Sequence, residues 1–89
     1  MRIEFSPLAL KELAKIKKRD KKLFQRIEKQ LVLFRNDPTH PSLRLHKLSG
    51  DLEYLRSISI TRSIRMVYIL TEQTAYFTDI GTHDEVYKK

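Results

Sequence analysis

Leu23, Phe24, Ile27, Leu31 and Phe34 recur at helical spacing. They project within an arc of about 100°, so a helix from about Lys21 to Asn36 must lay one apolar stripe against a partner surface. Lys22, Arg26 and Lys29 fall off that arc and face solvent. Asp20 is placed to cap this helix, and Asp37-Pro38 ends it, because the residue before a proline disfavours the α region. A second helix is predicted upstream: Ser6 caps it, Pro7 takes the first-turn position that tolerates proline, and Ala9, Leu10, Leu13 and Ile16 share one side as far as about Arg19. Lys15, Lys17, Lys18, Arg19, Lys21 and Lys22 gather at the turn between the two. The pair is a basic helical hairpin with one apolar side.

A helical stripe needs a surface to cover, and the rest of the chain changes period to supply one. Arg2–Phe5 alternates as a short strand. The stretch Thr39–Asp51, with His40-Pro41 and Ser49-Gly50-Asp51, reads as an extended loop, and loops of such length in a small domain are often functional. Leu52–Ile60 and Thr74–Ile80 alternate, while Ile64–Leu70 is apolar on both faces apart from Arg65. The turns Thr61-Arg62-Ser63 and Thr71-Glu72-Gln73 are of hairpin length, which predicts an antiparallel meander with Ile64–Leu70 at its centre. Asp84–Lys89 is expected to form a last helical turn capped by Thr82 or His83. The expected fold is α+β, in the order β-α-α-β-β-β with a short C-terminal helical turn. Its two-helix hairpin packs on a curled, mainly antiparallel four-stranded sheet. With 89 residues, 40% of them hydrophobic, the chain supports one thin core and a single domain over 1–89.

Composition narrows the chemistry. The absence of cysteine excludes disulfides, thiol catalysis and zinc-thiolate sites. Gly50 and Gly81 are the only glycines, too few for a nucleotide-binding glycine loop, and no histidines or carboxylates recur at metal-ligand spacing. Neither a metal nor a cofactor is expected. No segment approaches the roughly 18 apolar residues of a membrane span, so a soluble, cytoplasmic protein without a membrane partner is expected. The formal net charge is +7. All of that excess lies in residues 1–36, which hold eleven bases against four acids, while residues 37–89 hold seven of each. Such a field attracts polyanions, nucleic acid before others, although a charged run is often only a solvated surface.

Several cationic and proton-transferring side chains remain in the C-terminal half. Arg65 interrupts the otherwise apolar Ile64–Leu70, where a charge must pair, reach an edge or bind something. It either forms a salt bridge with Asp79 or Glu53, or stands on the open face of the sheet with its fork presented to a phosphate. His83 follows Asp79-Ile80-Gly81-Thr82 where the last strand ends, and an imidazole titrating near pH 6.5 can give or take a proton in the cell. His46 precedes the sheet and by itself reads as a loop histidine; His40, beside Pro41, reads as structural. Two histidines and one or two arginines suit one metal-free reaction. Cleavage of RNA through its own 2′-hydroxyl needs a base, a cation for the crowded phosphate and an acid for the departing 5′-oxygen.

Over nearly its whole length the chain resembles the RelE/ParE superfamily of type II toxins, the messenger-RNA interferase branch of RelE- and YafQ-like members above all. The residues that carry the likeness are Leu45-His46-Lys47-Leu48-Ser49-Gly50, Arg65-Met66-Val67-Tyr68 and Asp79-Ile80-Gly81-Thr82-His83-Asp84-Glu85-Val86-Tyr87, in the β-α-α-β-β-β order. The resemblance implies an endoribonuclease that enters the A site of the 70S ribosome, cuts messenger RNA and inhibits translation. It also implies a small, acidic, DNA-binding antitoxin that neutralises the toxin in a hetero-oligomer. By position, Arg65 matches the arginine that stabilises the transition-state phosphate. His83 matches the histidine of Gly-Thr-His, the general acid, and His46 a histidine that acts as base or contacts RNA. Tyr87 matches a C-terminal aromatic group that orients a base. Ser59 and Ser63 stand where YafQ-like toxins carry a histidine and an aspartate, and Arg56 alone is comparable with the lysines of RelE. Arg56 and Arg62 are expected to supply the missing charge, and Lys47, Lys18 and Lys22 to extend the RNA-binding surface. Two other functions fit the same resemblance: a ParE-like inhibitor that binds DNA gyrase without catalysis, and a catalytically weak RNA-binding homologue.

Overall fold

A computed structural model describes residues 1–47, 54–82 and 85–86. The elements run β1 (Arg2–Phe5), α1 (Pro7–Arg19), α2 (Lys21–Asn36), a 3-10 turn (Pro41–Leu43), β2 (His46–Lys47), β3 (Leu55–Ser59), β4 (Ile64–Thr71) and β5 (Thr74–Thr82). Both helices have their expected bounds and caps. The Ser6 hydroxyl accepts from the Ala9 N–H at 3.0 Å and donates to the Thr78 carbonyl at 3.1 Å, tying the start of α1 to β5. Asp20 Oδ1 accepts from the Leu23 N–H at 3.0 Å. Each such cap is worth about 1 kcal/mol. Ala9 is buried and Leu13 and Ile16 are half-buried, but Leu10 is 54% exposed, one helical step round from that seam.

The expected four-stranded, curled sheet is corrected. Five strands lie in the order β1-β5-β4-β3-β2, an open sheet that is not curled and whose edge strands β1 and β2 do not meet. It is mixed, since β1 runs parallel to β5 while β5, β4, β3 and β2 form the antiparallel meander. The additional strand, His46–Lys47, falls within the stretch read as loop. It pairs for only two residues, and both are exposed, so no apolar alternation marks it. Strand β4 is central, as its two apolar faces require. The register shifts between Val67 and Tyr68, which oppose Asp79 and Phe77 and leave Thr78 over as a bulge in β5.

The α2 stripe closes one face of this sheet. Ile27 and Phe34 join Ile58, Ile60, Met66, Tyr68, Ala75, Phe77 and Leu43 in one buried cluster. Phe34, Tyr68 and Phe77 form its aromatic centre, with ring centroids 5.0 Å, 5.6 Å and 5.1 Å apart. Such pairs add about 0.5–1.5 kcal/mol each beyond their burial. Gln30, buried on α2, donates to the Ser59 carbonyl at 2.9 Å and fastens the helix to the end of β3. All of this packing falls on one side of the sheet, so the side chains that alternate with it lie on the face opposite the helices.

Candidate functional site

Strand register sorts the predicted site residues between the two faces. Met66 and Tyr68 belong to the core, so their partners Ile58 and Arg56 share the helix face. The intervening residues take the face opposite the helices, where Ser57 and Val67 are buried as well. There, His46 opposes Ser57, Ser57 opposes Val67 and Val67 opposes Asp79, forming one row across β2, β3, β4 and β5. In the next row Ser59 opposes Arg65 and Arg65 opposes Gly81. His46 and Arg65 therefore occupy the same face, the one opposite the helices.

Arg65 is only 9% exposed, and three hydrogen bonds hold it. Its Nε donates to Ser57 Oγ at 2.9 Å, and its Nη2 donates to the Ser57 carbonyl at 3.2 Å and to the Arg44 carbonyl at 2.6 Å. Neutral oxygens thus satisfy much of the guanidinium without cancelling its charge. Among the described residues Nη1 has no hydrogen bond. Of the carboxylates considered for a salt bridge, Glu53 lies outside the described residues. Ser57, which holds the guanidinium, is the direct cross-strand partner of His46 on the neighbouring strand. His46 itself is exposed.

The other cations are dispersed. Lys47 opposes Arg56 and shares the helix face, one residue out of phase with His46. Arg56, expected to contact RNA, is half-buried and lies against Tyr68 at the margin of the core, and its buried Nε makes no hydrogen bond among the described residues. Burial pushes the Tyr68 hydroxyl above its ordinary pKa, and the charge and hydrogen bond of Arg56 pull the other way without winning. Arg62 is exposed in the turn after β3, and Lys18 and Lys22 are exposed on α1 and α2. His40 is structural as expected: its Nδ1 accepts from the Ser42 N–H at 3.1 Å and caps the 3-10 turn.

His83 and Tyr87 lie outside the described residues. The residues around them show how the C-terminal segment starts. Thr82 and Glu85 form a reciprocal capping box: the Thr82 N–H donates to Glu85 Oε1 at 2.8 Å, and the Glu85 N–H donates to Thr82 Oγ1 at 3.2 Å. Glu85 and Val86 are helical, which identifies Thr82 as the cap of the expected terminal turn. These hydrogen bonds hold the Glu85 carboxyl below its ordinary pKa. Gly81 gives the carboxylate room, since a Cβ there would stand 3.1 Å from Glu85 Oε1 and 3.2 Å from its Cβ.

Two cations that the sequence did not single out lie beside Arg65. Arg26 on α2 and Arg44 after the 3-10 turn join Arg62, Arg65, Ser42, Ser59 and Thr61 around a cavity of about 300 Å³ at the edge of β3. Helical phase marked Arg26 only as solvent-facing, and nothing local in the sequence marks Arg44. Among the described residues no group of three His, Cys, Asp or Glu side chains could hold a metal ion, and no helix is long and apolar enough to cross a membrane.

Residues 1–88 match the family model for YafQ, the bacterial toxin of a type II toxin–antitoxin system. The RelE4 protein of Methanocaldococcus jannaschii is 33% identical, a likeness covering 98% of this chain and 90% of that protein. Among solved structures, the DinJ–YafQ complex from E. coli is similar with a TM-score of 0.78 at 22% identity, over 98% of this chain and 99% of that one. The YoeB/ParE toxin from Agrobacterium tumefaciens gives 0.80 at 18% identity, over 93% and 99%. At such identities these two structures establish the fold.

Proposed function

The chain belongs to the YafQ family of toxins of type II toxin–antitoxin systems, and we propose that it is a metal-independent endoribonuclease that cuts messenger RNA and stops translation. One observation carries this reading: the Arg65 guanidinium is anchored on Ser57, the direct partner of His46, on the face opposite the helices. A phosphate set against Arg65 would meet a cation already oriented and largely desolvated. In such surroundings charge stabilisation is stronger than in water and needs little reorganisation.

The reaction requires no further reagent. A base takes the proton of the ribose 2′-hydroxyl, the 2′-oxygen attacks the adjacent phosphorus, and the bond from phosphorus to the 5′-oxygen breaks. An acid returns a proton to that 5′-oxygen. The products are a 2′,3′-cyclic phosphate and a 5′-hydroxyl. Arg65 stabilises the crowded phosphorane, and His46 and His83 divide the roles of base and acid. Tyr87 orients a base of the message, and Arg62 binds its backbone. The 2′-hydroxyl nucleophile makes the activity specific to RNA. Cutting takes place in the A site of the 70S ribosome, in the cytoplasm. The partner that restrains it is a small, acidic, DNA-binding antitoxin, a reading supported by the fold shared with the E. coli toxin solved in complex with DinJ.

The test is expression of the chain without its antitoxin, followed by primer extension on translated and untranslated copies of one message. Growth arrest with cuts inside translated frames is expected. The combined Arg65→Ala and His83→Ala variant, and His46→Ala alone, should stop or strongly slow the cutting while thermal melting still shows a folded protein. Intact messages accompanied by gyrase-linked DNA breaks overturn the proposal in favour of a ParE-like inhibitor. Undiminished cutting by the folded double variant overturns the site.

A further inference from the structure

The cavity beside Arg65 is lined by four arginines that come from four places in the fold: Arg26 from α2, Arg44 from the segment after the 3-10 turn, Arg62 from the β3–β4 turn and Arg65 from β4. Three hydroxyl-bearing residues, Ser42, Ser59 and Thr61, complete the lining, and no carboxylate is among its described residues. Two of the guanidiniums are fixed before any ligand arrives. Arg26 donates from Nε to the Ile60 carbonyl at 2.9 Å, and Arg65 is held on Ser57 and the Arg44 carbonyl. Arg44 is itself kept in the left-handed region at φ 43°, where a side chain costs roughly 1–2 kcal/mol. Like charges gathered so closely, with their supporting carbonyls already in place, repel one another until an anion enters.

We propose that this cavity binds a second backbone phosphate of the RNA, next to the one under attack, and that Arg26, Arg44 and Arg62 are its binding residues. This rests on the reading of the Arg65 face as the place where RNA is cut. Arg65 lies at the boundary between the two, so a strand whose scissile phosphate meets its guanidinium passes its neighbouring phosphate into the cavity. The observations favour phosphate over the carboxylates of an acidic protein segment. Guanidinium forks match the several acceptor oxygens of a phosphodiester, and a polynucleotide brings more than one charge to a four-cation site. Arg26 and Arg44 are thus substrate-positioning groups, and they fix the register in which the strand crosses the sheet.

The experiment uses a 2′-O-methyl RNA oligonucleotide, which the proposed reaction cannot cut, so binding is read independently of cleavage. Affinity is measured by fluorescence anisotropy across a range of salt concentrations. The parent is expected to bind with an affinity that falls as salt rises, with a slope of about 0.7 for each phosphate neutralised. Arg26→Gln combined with Arg44→Gln should weaken binding about tenfold or more and reduce that slope by about one phosphate contact. Arg62→Gln, at an exposed residue without an internal hydrogen bond among the described residues, should act in the same direction and guards against misfolding of the double variant. Inorganic pyrophosphate should compete in the parent and lose its effect in the double variant. Unchanged affinity and slope in both variants overturns the proposal. So does a loss confined to binding of an acidic antitoxin peptide, which makes the cavity a protein-docking site. If the oligonucleotide binds as predicted but no message is ever cut, the cleavage reading fails and the phosphate site stands.

Discussion

Nη2 of Arg65 stands 2.6 Å from the main-chain oxygen of Arg44, and Arg44 presents that oxygen from a left-handed backbone at φ 43° and ψ 54°. The loop before β2 and the central strand are therefore joined through one guanidinium. That guanidinium also spans two atoms of Ser57, so its plane is defined by β3 as well. Lysine at this position would keep the charge but lose the fork. Arg65→Lys is expected to destabilise the protein by about 2 kcal/mol, since hydrogen bonds to charged groups contribute roughly 1.5–3 kcal/mol. For a domain of this size that lowers the melting temperature by roughly 8–16 °C. A melt indistinguishable from the parent would show that the anchor contributes nothing to folding.

Arg44 gives the complementary prediction. Glycine removes the roughly 1–2 kcal/mol strain of a left-handed side chain and returns about 0.5–1 kcal/mol in chain entropy. Arg44→Gly should therefore melt a few degrees above the parent while binding RNA more weakly. A lower melting temperature would mean that the exposed arginine is held by contacts outweighing its backbone cost.

Tyr68 should ionise late in an alkaline titration. Burial raises its pKa from 10.0 in the folded protein, so the neutral form stabilises the fold fully below pH 10. That stabilisation is lost as the pH rises towards the raised value, because only the unfolded chain then gains by ionising. Tyrosinate absorbance in an alkaline titration should show one late component. Tyr68→Phe should remove it and shift alkaline unfolding to higher pH. A titration without that late component would contradict the buried placement.

Glu85 predicts the opposite dependence. Its folded pKa lies below the ordinary 4.5, so its contribution is present above that value and disappears as the pH falls through the folded one. Amide exchange at Thr82, measured by NMR and corrected for the intrinsic effect of pH, should lose protection in that acid range. Glu85→Gln should flatten the dependence. Gly81→Ala should speed exchange even at neutral pH, because the new methyl group crowds Glu85 Oε1. Exchange at Thr82 that ignores all three changes would rule out the capping box.

Both helices were legible in the sequence to the residue, because each has a side-chain cap at Ser6 or Asp20 and a strong apolar period. The central strand was equally legible, since the apolar run around Arg65 belongs in the middle of a sheet, with a strand on either edge. Strand β2 was not, because two exposed edge residues bury nothing and leave no alternation to read. The site divides similarly. Arg65 announced itself as a charge in an apolar run, and register sets it on the same face as His46, one row away. Arg56 did not reveal its place against Tyr68, because facing is set by pairing rather than by residue type. Arg26 and Arg44 stayed hidden because their meeting depends on how α2 and the 3-10 turn converge at the edge of β3, a tertiary relation with no local signature.

The central claim is attack by the 2′-hydroxyl of the message. Its most direct test is a translated messenger RNA carrying a single 2′-O-methyl group at the nucleotide where the parent message is cut. The unmodified message should yield fragments ending in a 2′,3′-cyclic phosphate and a 5′-hydroxyl, and the methylated message should remain whole at that position. Cutting of the methylated message at the same place and rate would contradict the mechanism.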